Sequence, residues 1–291
     1  MTRHLTLHLI VLLSVGALLT ACNRQNANDN NNAAPSTAPA GSVLEGKLLL
    51  TGSSTAAPLM EEIANRYELL HPNVRISIEM GGAERGINDA RDGIADIGMV
   101  SRLVTDDDRY LKGFPVARDG AGLITHKSNP VTTLTSSQIS DIFRGRIKNW
   151  KKVGGFDTPI MVIKREEGRG TIVMFMHHFN MTYSEMKAEK ILGENSEVIE
   201  AVAAHSNAIS LMSVIVAENE IRAQVPIKLV SVDGVAATHA SILSGDYPFA
   251  RPLTLVTRGL PGGLAKNLIE FSLSPQVADI IEKMGFVPYQ E

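Results

Sequence analysis

What most limits the fold available to this chain is an alternation of short apolar runs and helical patterns that begins at Lys47. Lys47 to Thr51 is largely apolar, the pattern of a strand buried in a parallel sheet. Gly52-Ser53-Ser54-Thr55 breaks it. Leu59, Met60, Ile63, Ala64, Tyr67 and Leu70 then recur at helical spacing, with Pro58 suited to a first turn. Val74, Ile76 and Ile78 alternate as a strand does, and Gly81 to Gly86 interrupts them. A short helical pattern follows with Ile87, Ala90 and Ile94, and Asp96 to Val100 reads as a strand ended by Ser101-Arg102. Strand, helix, strand, helix, strand predicts an α/β domain on a parallel sheet. The polar segments 52–55, 81–86 and 101–102 all follow carboxyl ends of strands, the edge where open α/β sheets collect ligands.

Another strand–turn–helix passage lies further on, without internal sequence repeat. Ile160 to Ile163 leads into Arg165-Glu166-Glu167-Gly168-Arg169-Gly170-Thr171, and Ile172, Phe175, Met176 and Phe179 continue at helical spacing. Strand, glycine-punctuated turn and helix start put free backbone N–H groups and a hydroxyl at the positive end of a helix, a site suited to an anion. Arg165 and Arg169 bracket the turn, and guanidinium matches oxyanions well. The plainer reading is a turn capped by Thr171 with Arg–Glu pairs in solvent. Likewise Ser53, Ser54 and Thr55 could be simple capping residues, although a cap requires only one hydroxyl.

The rest of the body supplies a second unit. Ala121 to Thr125 reads as a strand leaving the first, and Ser136 to Phe143 and the Trp150 region open the next. Helical patterns follow at 170–180 and 196–204, then extended runs at Leu229–Val232 and Arg251–Thr257, then helical patterns at Leu264–Leu273 and Pro275–Met284. A chain of 291 residues suits two domains or one large one. Two α/β units joined by two extended strands, near 121–125 and 251–257, predict two lobes with a cleft between them.

The N-terminus is set apart from the fold. Arg3 precedes a mostly apolar stretch, Leu9 to Leu19, too short for an anchored span. Leu19-Thr20-Ala21-Cys22 resembles a bacterial lipobox, which implies a signal peptide over 1–21 and lipid attachment to Cys22. Residues 22–45, rich in Asn, Ala, Pro and Ser, are expected to be a flexible tether.

Several chemistries find no support. Cys22 is the only cysteine, so neither an internal disulfide nor a cysteine metal cluster can form. There is no P-loop, dinucleotide fingerprint or Gly-x-Ser-x-Gly elbow. His177 and His178 are adjacent and diverge by about 100° on a helix, where shared metal binding needs i, i+4 spacing. Asp106, Asp107 and Asp108 lack a calcium-loop pattern and read as a solvated helix start. The formal charge is −3 and no basic run is sustained, so a nucleic-acid partner is not expected. No cofactor is implied.

Taken together, these segments resemble the phosphate-binding proteins of bacterial phosphate ABC transporters. The resemblance rests on Leu50 to Pro58, Ala95 to Arg102, Arg165 to Thr171, Val230 to Val235 with Ser244 to Pro248 and Arg251-Pro252-Leu253, and Gly285 to Pro288. It implies the two-lobed periplasmic-binding-protein fold, each lobe a sheet flanked by helices, joined by two hinge strands. Lobe I would take 46–122 and 253–291, and lobe II 123–252. The implied protein is a monomeric, lipid-anchored solute-binding protein on the periplasmic side of a bacterial membrane, not an enzyme. It would close on phosphate or a similar oxyanion and deliver it to an ABC permease. The ligand residues implied by motif are Thr55 with Ser54, Ser101, Arg165, Gly170 and Thr171; Ser53, Arg102, Gly168 and Arg169 flank them as further candidates.

The chain departs from the family's pattern in ways that leave the ligand open. Ala83, followed by Glu84 and Arg85, stands where a serine is usual; Arg169 stands where a serine is usual; and Ser101 stands where some members carry an aspartate. A different oxyanion, or a larger phosphorylated or carboxylated solute held by Arg165 and Arg169, is the first alternative. A periplasmic phosphate-ester hydrolase is the second, with no base, nucleophile or metal set to support it.

Overall fold

The computed structural model describes residues 44–102 and 104–289, and for Asp106 the backbone alone. Cys22, the signal peptide and all but the end of the tether lie outside the described residues. In chain order the elements are β1 (Gly46–Gly52), α1 (Ala57–Leu70), β2 (Val74–Met80), α2 (Ala83–Asp92), β3 (Ile97–Val100) and β4 (Leu111–His126). Then come β5 (Thr133–Leu134), α3 (Ser136–Phe143), β6 (Met161–Arg165), α4 (Gly170–His178), β7 (Lys190–Leu192), α5 (Asn195–Ala204) and β8 (Ala208–Ser213). The chain finishes with α6 (Val214–Arg222), β9 (Ile227–Val232), α7 (His239–Ser244), β10 (Ala250–Arg258), α8 (Gly263–Ser272), α9 (Ala278–Lys283) and β11 (Val287–Pro288).

The predicted strand–helix alternation is present, and its register explains why. β1 runs parallel to both β2 and β3, so the helices between them must cross over the sheet. α1 buries Leu59, Met60, Ile63, Ala64 and Tyr67. Leu70 fits the same stripe but is exposed, because the last turn runs past the core. Ile94 is exposed for a related reason: Gly93 takes a left-handed conformation and ends α2, so Ile94 leaves the helical phase.

α2 lies unusually close to its sheet. A Cβ on Gly86 would stand 2.6 Å from the carbonyl oxygen of Met99 and 2.9 Å from that of Thr51, and one on Gly98 would collide with Gly86. With no side chain between helix and strands, the first turn of α2 is drawn up to the carboxyl ends of β1 and β3. Glycine placement sets this closeness, while Ile87 and Ala90 bury the rest of the helix's inner face.

β4 is longer than the predicted 121–125 strand and changes partners along its length. Leu111 to Gly120 pairs antiparallel with β10; Ala121 to Thr125 pairs with β8 and Leu123 to His126 with β9. Val116 is the extra residue of a bulge, since Ala117 faces Leu253 and Pro115 faces Thr254. The bulge accommodates Pro115 in a central strand, where proline otherwise breaks the ladder. β10 also pairs with β3, and β8 continues in parallel to β6 and β7. The result is one curled mixed sheet with helices on its faces, parallel at each end. A large apolar core runs through it, with a smaller cluster around Ile124, Ile163, Val198 and Val202 and another around Ile87, Val100 and Val256.

Candidate functional site

Helix starts from separate parts of the chain converge on one small cavity. It is lined by Ser53, Ser54, Thr55, Gly82, Ala83, Ser101, Arg165, Arg169, Gly170 and Thr171. Ser53 Oγ accepts from the amides of Thr55 and Ala56, 3.2 Å each, and so orders the approach to α1. Gly82, at φ +94°, turns the chain into α2 and leaves Ala83 as the first helical residue. Arg169 precedes α4 in an extended conformation and offers no side-chain cap. The amides of Ile172 and Val173 both donate to the Arg169 carbonyl at 3.1 Å, so those of Gly170 and Thr171 lie ahead of the helix's own bonding. Such amides at a helix's positive end favour negative charge.

The space is narrow, about 10 Å³ open to the centre of a water-sized sphere. Its walls are buried: Ser101 is 3% and Arg165 1% exposed. None of the described lining residues carries a carboxylate. The site therefore presents hydroxyls, amides and guanidinium groups to something compact.

Arg165 is the last residue of β6, not part of the turn that follows, so the strand fixes its backbone. Its Nη1 donates to Asn195 Oδ1 at 2.9 Å and its Nη2 to the Gly193 carbonyl at 2.5 Å. Its Nε is buried without a hydrogen-bond partner among the described residues. Burial, then the charges of Arg169 and Arg251, pull its pKa down to about 10. Guanidinium stays protonated in proteins; the lowered value measures how poorly the cation is compensated. A buried donor without a partner costs free energy, so an anion arriving there has a group to satisfy.

Arg169 is differently placed. It borders the same cavity, but its guanidinium bonds Glu166 and Glu194 at 2.8 Å each. Burial pulls its pKa down; hydrogen bonds and charge from Glu166 and Glu194 more than offset that, and the net shift is upward. Its charge is thus held by carboxylates already. Arg102 and Gly168 do not line the cavity. Arg102 bonds Asp108 through both terminal nitrogens, at 2.8 and 2.9 Å, and Glu84 through Nε. Asp108 is accordingly buried, where the sequence suggested a solvated helix start. Gly168, at φ +82°, gives its carbonyl to the amide of Glu84 at 3.0 Å. Neither His177 nor His178 reaches the cavity; His178 meets Phe249 edge-on, ring centres 4.5 Å apart.

Two contributions escape a reading of the sequence. Gly82 and Ala83 carry no polar side chain, so nothing within 81–86 singles these two out. Asn195 joins Arg165 to a second loop, its Nδ2 standing 3.5 Å from the Ser54 carbonyl. Its only sequence signal is an Asn at a helix start, which capping also explains.

Comparisons with known proteins bear on this cavity. A family model described as a PBP superfamily domain matches residues 32–276. The crystal structure of a phosphate ABC transporter substrate-binding protein with bound phosphate from Clostridium perfringens superposes with a TM-score of 0.78 at 33% identity, covering 84% of this chain and all of that one. The phosphate-binding protein PstS of Bacillus subtilis is 24% identical over 96% of this chain and 93% of its own length. PstS of Borreliella burgdorferi is 27% identical over 81% and 88%.

Proposed function

The chain belongs to the PBP superfamily of periplasmic-binding-protein fold, among the phosphate ABC transporter substrate-binding proteins, and from that membership we propose how it works. It captures inorganic phosphate outside the cytoplasm for an ABC importer. The observation that carries the reading is the buried, incompletely bonded Arg165 facing the convergent starts of α1, α2 and α4. Phosphate offers the acceptors that Arg165, the Gly170 and Thr171 amides and the surrounding hydroxyls need. Charge-assisted bonds of this kind contribute about 1.5–3 kcal/mol each.

Capture works by closure of two lobes. Lobe I takes 46–122 and 253–291 and lobe II 123–252, with hinges where β4 exchanges β10 for β8 and where β10 begins. Ser53, Ser54, Thr55 and Ser101 come from the first lobe, and Arg165, Gly170 and Thr171 from the second. Their full set of donors then exists only when the lobes meet, which makes closure depend on the ligand. The Glu84 amide on the Gly168 carbonyl is one bond across that join. A permease reads the closed form, and lipid on Cys22 with residues 22–45 as tether keeps a monomeric body beside the membrane.

The alternatives gain less support. The narrow cavity and the pairing of Arg169 with Glu166 and Glu194 disfavour a larger phosphorylated or carboxylated solute. A hydrolase would need a base to activate a lining hydroxyl or a water, and none of the described lining residues is a carboxylate or a histidine. Isothermal titration with phosphate and sulfate tests the proposal. Micromolar or tighter phosphate binding is expected; no heat with phosphate would overturn it.

A further inference from the structure

Beneath the cavity lies a buried ion pair that no step of capture has yet used. Arg251 on β10 and Asp119 on β4 are both fully buried at their side chains, 2.9 Å apart. Asp119 Oδ2 accepts from Arg251 Nη2 and also from Nε at 3.3 Å. Its Oδ1 accepts from Ser213 Oγ at 2.9 Å and from the Ile215 amide at 3.3 Å, at the start of α6. The remaining arm of Arg251, Nη1, donates to the Ser101 carbonyl at 2.8 Å.

A fully buried ion pair is a poor stabilising device, because desolvating both charges offsets their attraction and apolar replacements often do as well. Geometry gives this one a different use. Ser101 sits against the first turn of α4: a Cβ on Gly170 would collide with Ser101 Oγ and stand 2.5 Å from its carbonyl oxygen. Ser101 also lines the cavity, so whatever holds its carbonyl sets where the rest of the residue stands. Arg251 is the group holding it. Its planar fork reaches Asp119 and Ser101 together, which the single ammonium of lysine cannot do in the same plane. The pair also stands where β4 gives up β10 and takes β8, so one charged network touches the cavity loop, both long strands and α6.

We infer that Arg251, oriented by Asp119, is a positioning residue for anion capture: it fixes the Ser101 carbonyl and thereby the Ser101 contact to the ligand. The inference rests on phosphate being the ligand of this cavity. Removing the pair's charge outright risks unfolding, so Arg251→Lys, which keeps a cation for Asp119, is the first variant, and the neutral double replacement Arg251→Met with Asp119→Asn is the second.

Titrate phosphate into wild type, Arg251→Lys, Ser101→Ala and the double variant Arg251→Lys/Ser101→Ala, with melting curves on each. Arg251→Lys is expected to fold and to bind about tenfold more weakly, as is Ser101→Ala; because both losses pass through one contact, their combination is also about tenfold weaker, not a hundredfold. A merely structural Arg251 would lower the melting temperature and leave the affinity alone, and that result overturns the inference. Independent, multiplying losses overturn it too. If Arg251→Lys does not fold, the neutral double replacement decides: weakened binding in a folded protein supports the inference, and unchanged affinity overturns it. Wild type that ignores phosphate while folded overturns the proposed function, and this inference with it, whatever the variants do.

Discussion

At the scale of single residues, Arg165 has opposite effects on folding and on binding. Burial and the nearby Arg169 and Arg251 depress its pKa to about 10 from an ordinary 12.5, which corresponds to a cost on the order of 3 kcal/mol for keeping the cation in the fold. For a base whose folded pKa is depressed, that cost is present at every pH below about 10, neutral pH included, and an anion offsets it. Arg165→Met should therefore abolish phosphate binding, at least a hundredfold by titration calorimetry, while the ligand-free protein melts at the same temperature or higher. A variant that binds normally would place the site elsewhere. The lining carries a second signature. With no carboxylate among its described residues, nothing charged is there to accept a proton from the ligand. Phosphate affinity should rise as pH goes from 5 to 8 and the ligand loses its second proton, while sulfate, fully ionised throughout, binds with little pH dependence. Sulfate should then compete best in acid; complete rejection of sulfate at pH 5 would contradict the prediction.

At the scale of elements, the sequence was most informative where side chains report local geometry. The β1–α1–β2–α2–β3 run was legible because parallel strands and amphipathic helices carry distinct periods. Arg165 through Thr171 was legible as strand end, turn and helix start, apart from Arg165 itself belonging to β6. The first half of β4 was not, since Gly113, Pro115 and Gly120 argue against a strand and the bulge that accommodates Pro115 is set by pairing with β10. Nor was β8, wholly buried, whose Ala-Ile-Ser-Leu-Met-Ser shows neither a strand's alternation nor a helical stripe. The site shows the same split. Hydroxyls and guanidiniums announce themselves, whereas the Gly82–Ala83 amides and the Asn195 bridge depend on which elements meet. The meeting of α4 with Ser101 gives an element-level prediction. Gly170→Ala places a methyl group on the Ser101 Oγ and carbonyl, so the helix start cannot approach Ser101 as closely. Alanine suits a helix interior better than glycine by roughly 0.5–1 kcal/mol. The ligand-free variant should thus melt within a few degrees of wild type, yet phosphate affinity should drop at least tenfold; a large loss of ligand-free stability would mean the contact is part of the fold and not of closure.

At the scale of the whole molecule, the glycine-drawn approach of α2, the partner exchange along β4 and the Asp119–Arg251 pair place donors from distant segments around one point. None of these donors can satisfy the anion alone, and the unfolded chain holds none of them in place. A ligand bound only by the folded, closed form must stabilise it by mass action: about 2.7 kcal/mol when free phosphate is a hundredfold above its dissociation constant. For a body of this size each kcal/mol moves the midpoint by about 2–4 °C, so the melting temperature should rise by roughly 5–10 °C at that concentration and continue upward with the logarithm of phosphate. The rise should vanish in Arg165→Met. Small-angle scattering on the same samples should show the radius of gyration falling as phosphate saturates wild type, and staying fixed in the variant. Stabilisation without contraction would mean that the anion binds lobes already joined, leaving phosphate with no control over the form a permease reads.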